Sequence, residues 1–178
     1  MPELIILGVF LLLILVLVIR ALLFKDNTKY NKEVKEIKEL DDVVSKLGTL
    51  VKIKTISYED KSKIDFSEYQ RYIDKVKELY PLVFSKCEFT QTKEYAIKLK
   101  LKGKSSDNPT VLMAHYDVVP VLEEGWEKPA FDAIIENDVM WGRGTLDTKG
   151  TLCGVLEAAE KLLSEGFVPK QDMYFAFS

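Results

Sequence analysis

Residues 111–120, VLMAHYDVVP, and residues 141–150, WGRGTLDTKG, constrain this chain more than any other stretch. Val111, Leu112, Met113 and Ala114 form a short apolar run that reads as a buried strand, so His115 and Asp117 emerge at its C-terminal end. In open α/β sheets, that edge is where ligands bind. In the second stretch Gly142 and Gly144 flank Arg143, Asp147 follows, and Gly150 stands at the mouth of a helix. Glycines there permit positive φ and a close backbone approach to a ligand. A histidine that binds metal through one ring nitrogen usually gives its other N–H to a carboxylate, and Asp117 is near enough in sequence to accept it. A carboxylate has two oxygens, so Asp147 could ligate one ion with each. A lone histidine beside a strand is also compatible with a hydrogen-bonded structural role. Arg143 and Lys149 fit either a substrate contact or salt bridges that stabilise the loop.

AHYDVVP and GRGTLDTKG resemble the dinuclear zinc hydrolases that include carboxypeptidase S, aminoacylase, acetylornithine deacetylase and succinyl-diaminopimelate desuccinylase. The separation of the two motifs suits that family, as do Trp126, Pro129 and Phe131 between them. The VVPV continuation after Asp117 looks most like the carboxypeptidase S branch. The resemblance covers roughly residues 40–178, most strongly 111–166. It implies that His115 is a zinc ligand, Asp117 its orienting partner with a catalytic role, and Asp147 the bridging carboxylate. It further implies two zinc ions, with cobalt or manganese as substitutes, because an N/O ligand set discriminates poorly by affinity alone. The chain departs from the pattern at Thr148, where the family often has Asp or Met.

Family members continue into a Glu-Glu pair, one Glu acting as general base and the next as metal ligand. A later carboxylate, a second histidine and a smaller domain for substrate contacts and dimerisation follow. None of these is in this sequence, whose composition includes a single histidine. A catalytic zinc normally has three protein ligands plus water, and His115 with Asp147 supplies two. Residues 173–177 read as a buried strand, and a chain rarely stops there without a polar tail. The expectation is therefore an incomplete chain, inactive by itself, from a metal-dependent hydrolase of amide bonds in small peptides or N-acyl amino acids. The rival reading is a membrane-anchored, non-catalytic relative that binds a ligand or partner.

From Leu4 to Ile19 the chain is uninterrupted by charge, and residues 4–24 hold one charged residue, Arg20. That is about the 20 residues needed to cross a bilayer. A secretory signal would want a basic start and a small-residue cleavage site, and neither is present. Leu, Ile and Val lie on every face of such a helix, which predicts a single transmembrane anchor rather than a buried core helix. Arg20, Lys25, Lys29, Lys32, Lys35 and Lys38 follow the span, and the positive-inside rule then places the body in the cytoplasm. Some relatives in the carboxypeptidase S branch work in vacuolar or extracellular spaces, which would place it on the opposite side.

The rest reads as scaffold. Residues 1–25 are assigned to the anchor, 26–32 to a short linker and 33–178 to the N-terminal part of the catalytic domain. Apolar residues from Val34 to Val51 recur at helical spacing, and a second helix spans 65–80, ending near Pro81. Residues 83–90 and 94–102 read as paired strands, and 102–109 as a turn. Residues 151–166 carry Leu152, Val155, Leu156, Ala159, Leu162 and Leu163 on one face, with Gly166 as a stop. Strands alternating with helices imply an α/β fold, and the resemblance makes it a three-layer α/β/α zinc-hydrolase fold behind a single transmembrane helix. The net charge of -3 offers no basic stripe for nucleic acid. Cys87 and Cys153 form neither a disulfide framework nor a CxxC pair, and Cys153 reads as core.

Overall fold

The computed structural model describes residues 2–24 and 40–178. They fall into two units. The first is α1 (Pro2–Leu23), 22 residues with no buried side chain. Its length gives roughly 33 Å of helix, and its composition is apolar enough to cross a membrane. The linker expected at 26–32 and the first turns of the helix expected from Val34 lie outside the described residues.

The second unit contains α2 (Leu40–Val51), α3 (Phe66–Leu79), α4 (Pro81–Lys86), β1 (Glu88–Gln91), β2 (Ile97–Leu101), β3 (Ser105–Ala114), β4 (Ile134–Glu136), β5 (Val139–Trp141), α5 (Gly150–Ser164) and β6 (Gln171–Phe177). Four strands form one sheet in the order β1-β2-β6-β3. β6 pairs antiparallel with β2 and parallel with β3. The β3–α5–β6 connection is the parallel crossover that the alternation of elements predicts.

Alternation along the strands divides the sheet into two faces. Ile97, Leu99, Leu101, Phe175 and Phe177 point into one core, joined by Leu50, Tyr72, Ile73, Val76, Leu152 and Leu156 from the helices. Cys153 is buried in the same core, with its thiol 3.1 Å from the Tyr80 hydroxyl. The other face carries Lys98, Lys100, Tyr174, Ala176, Val111 and Met113, with Val111 52% and Met113 72% exposed. Among the described residues the helices that pack on the sheet join a single core. Two layers of the expected three are therefore present.

Two local expectations are corrected. Residues 83–86, expected in a strand, belong to α4, and β1 begins at Glu88. Pro81 does end α3, but it also starts the next helix, where its missing N–H costs nothing. The free N–H groups of Leu82 and Val83 donate to the Glu160 carboxylate of α5 at 2.9 and 2.8 Å, a cap supplied from far along the chain. The segment 102–109 is not a simple turn, because β3 already pairs at Ser105 with Gln171 and shifts register before Thr110. Asn108 absorbs that irregularity with φ 48°. Finally, β4 and β5 form a hairpin that periodicity had not marked. Asn137 and Asp138 at its tip have φ 52° and 61°, the pair of positive values that a two-residue hairpin turn requires.

Candidate metal centre

His115 lies immediately beyond β3, and alternation continues through the next residues. Tyr116 turns inward and is fully buried, while His115 and Asp117 turn outward at 39% and 37% side-chain exposure. Tyr116 N–H donates to the Ser178 carbonyl at 2.7 Å, and Val118 N–H to the Thr55 carbonyl at 2.8 Å. Backbone pairing thus carries the segment past the end of the strand and fixes both outward side chains.

Asp147 arrives from the loop between β5 and α5. Gly144 starts its turn with φ 87° and a space so tight that a Cβ would lie 2.7 Å from Val118 Cγ1. Both conditions favour glycine. Within Thr145–Lys149 the backbone of Asp147 is extended (φ −118°, ψ 92°), and the Asp147–Thr148 peptide is cis. Thr148 ties this loop to the strand end, since its hydroxyl accepts from His115 N–H at 2.9 Å and donates to the His115 carbonyl at 2.8 Å. The helix α5 begins just after, its N-terminal partial positive charge near the carboxylate.

The three expected site residues therefore come together. His115 Nδ1 lies 3.1 Å from both the carbonyl oxygen and Oδ1 of Asp117, and Nε2 lies 3.0 Å from Asp147 Oδ1. Partial burial works against a charged imidazole, but the Asp117 carbonyl, the Asp147 hydrogen bond and the two negative charges outweigh it and raise the His115 pKa. The Asp147 carboxylate is 83% exposed and has a second oxygen free for another contact. Nε2 and Oδ1 are spaced close to the roughly 3.4 Å that separates two ligands of one tetrahedral zinc. The donor set, one imidazole and one carboxylate, suits zinc. Among the described residues no three His, Cys, Asp or Glu side chains are arranged so that together they could hold a metal ion. A cavity of about 620 Å³ opens beside His115, bordered by Met113, Ala176, Lys98, Thr148 and Thr151.

Arg143 and Lys149 both make contacts with the scaffold. Arg143 lies over the Trp126 ring at 5.2 Å, and its N–H donates to the Ala130 carbonyl at 2.7 Å. Lys149 is fully buried and donates from Nζ to the carbonyls of Leu50 and Ile53 at 3.1 and 2.7 Å, so carbonyl oxygens, not carboxylates, receive it. Burial lowers its pKa to about 7. Sequence reasoning missed Tyr116, whose inward position follows from simple strand alternation, and Thr55, whose buried hydroxyl donates to the Tyr116 carbonyl. It saw Thr148 only as a departure.

Fold and site together define an α/β domain with a His-x-Asp strand end facing a glycine-bounded aspartate. The chain belongs with Peptidase family M20/M25/M40, whose model matches residues 111–178. It is 34% identical over 140 residues to a "Probable carboxypeptidase S-like 2" of Dictyostelium discoideum, covering 76% of this chain and 27% of that protein. It is 36% identical over 126 residues to the human "N-fatty-acyl-amino acid synthase/hydrolase PM20D1", covering 68% of this chain and 24% of that one. Human carnosine dipeptidase 1 shares the fold, with a TM-score of 0.64 at 16% identity over 79% of this chain and 32% of the other. The chain thus spans about a quarter of the length of these curated relatives.

Proposed function

We propose that this chain forms the N-terminal part of the catalytic domain of a zinc-dependent hydrolase acting on amide bonds of small peptides or N-acyl amino acids. The observation that carries the reading is His115, held between Asp117 and Asp147 within the segment that matches the peptidase family. Substrate class follows from the relatives' names, a carboxypeptidase S-like protein and an N-fatty-acyl-amino acid synthase/hydrolase.

His115 Nε2 and the Asp147 carboxylate would hold the metal. Asp117 orients the imidazole through Nδ1 and keeps Nε2 aimed at Asp147. Zinc supplies a Lewis acid and brings the pKa of a water molecule towards neutrality. His115 and Asp147 would supply two of the three protein ligands that a catalytic zinc normally has. The open sheet face is where the third layer of the sandwich belongs. In this reading α1 anchors the protein in a bilayer, and the lysines that follow it keep the domain on the cytoplasmic side.

Equilibrium dialysis with zinc, followed by metal analysis, tests the site. The chain should take up zinc that Asp147→Asn weakens by at least about tenfold, and a chain whose uptake is unchanged by that substitution would refute the ligand assignment. The two-ligand set favours one other reading, a membrane-anchored binding protein without catalysis. Chelator-sensitive amidase activity in a complete protein would exclude it, and partner binding that survives Asp147→Asn would establish it.

A further inference from the structure

The three candidate site residues sit on loops whose buried neighbours converge on one ring. Tyr116, between His115 and Asp117, stacks on Tyr72 of α3 with centroids 4.6 Å apart and planes 7° from parallel. Lys149, next but one to Asp147, places its Nζ over the same ring, 5.0 Å from the centroid. Each loop also has private anchors. The Tyr116 hydroxyl donates to the Tyr95 carbonyl, and Lys149 donates to the end of α2. Among the described residues the Tyr72 ring is the aromatic surface that meets both.

Tyr72 is fully buried, and its hydroxyl has no hydrogen-bond partner. A buried hydroxyl without a partner adds nothing to stability. What Tyr72 contributes to its surroundings is therefore the ring: a flat face on which Tyr116 stacks from one loop and Lys149 Nζ rests from the other.

We infer that Tyr72 is a positioning residue for the candidate metal centre, its ring coupling the His115 loop, through Tyr116, to the Asp147 loop, through Lys149. This rests on the metal-site reading proposed above. Metal sites tolerate displacements of only about 0.5 Å. A shared ring makes the two loops move together, so that the separation of Nε2 and Oδ1 is set in the core rather than by the exposed Asp147 side chain.

The test uses the full chain in detergent micelles. His115 is the only histidine, so nitrogen-detected NMR of the imidazole gives one residue's tautomer and line width without ambiguity. Zinc affinity is the second readout. Tyr72→Phe keeps the ring and should match wild type within about twofold in zinc affinity, with the same imidazole spectrum. Tyr72→Met fills similar space without a ring. It should lose about tenfold or more in zinc affinity and show a broadened, tautomer-averaged imidazole in the zinc-free protein.

Val83→Ala is the stability control. Val83 is buried in α4, where its N–H meets Glu160, roughly 15 Å along α5 from Gly150. It should lower Tm yet leave zinc affinity and the imidazole spectrum unchanged. Retention of both by Tyr72→Met, or equal loss in Val83→Ala, overturns the inference. Should Tyr72→Met fail to fold, Lys149→Met breaks the same contact from the other loop and is judged by the same two readouts. A wild type that takes up no zinc removes the metal reading, while the zinc-free imidazole comparison still decides the role of Tyr72.

Discussion

Thr148 shows how a single side chain can do the work of a structural element. Its hydroxyl is bonded to both backbone groups of His115, so two polar groups at the end of β3 are satisfied by one residue of the facing loop. Thr148→Val keeps the shape and removes both bonds, leaving the His115 N–H and carbonyl without partners. Each such loss costs about 1–3 kcal/mol when the group stays dry, and His115 is only partly buried. We expect about 2 kcal/mol of destabilisation by denaturant titration, with Thr148→Ser close to wild type. Gly144→Ala should also be disfavoured, because φ 87° and a 2.7 Å approach to Val118 leave no room for a methyl group. Its signature would be weaker zinc uptake, since the turn that delivers Asp147 has to shift.

At the scale of elements, the long patterns were legible and the tertiary rescues were not. The α5 stripe at Leu152, Leu156 and Ala159, the Gly166 stop and the alternation of β2 follow from spacing alone and are found where expected, whereas Leu162, expected in the same stripe, is 41% exposed. α4 was illegible because its cap, Glu160, lies on another helix and no local window contains it. Glu160→Ala should therefore unwind α4 selectively, at a cost of about 1–2 kcal/mol, the usual size of a lost N-cap. Hydrogen exchange at the amides of Leu82 and Val83 would read it. The aromatic layer gives a pH prediction. Burial raises the pKa of Tyr72 and Tyr80 well above that of exposed tyrosine, with the neighbouring Cys153 adding to both shifts. Both stay neutral in the fold while the unfolded chain ionises near pH 10, so stability is full below pH 10 and falls above it. Absorbance at 295 nm should show these two phenols ionising together with the loss of circular dichroism, after the exposed tyrosines.

For the whole molecule, the site was more legible than its setting. His115, Asp117 and Asp147 were singled out by the family resemblance, and the structure brings the three side chains together. The ring that links their loops could not be found, since Tyr72 lies in a helix where an aromatic reads as ordinary core. The order of the sheet has a temporal consequence. β6 is the last described element made, yet it lies between β2 and β3 and pairs with both. On a translating ribosome, β2 and β3 must wait for residues 171–177 before either gains its shared neighbour. For that interval Leu99, Leu101 and Leu112 have no Phe175 or Met173 to cover them. Nascent chains stalled short of residue 171 should therefore be bound by chaperones and cut by protease, and a stall that exposes residue 178 beyond the exit tunnel should end both.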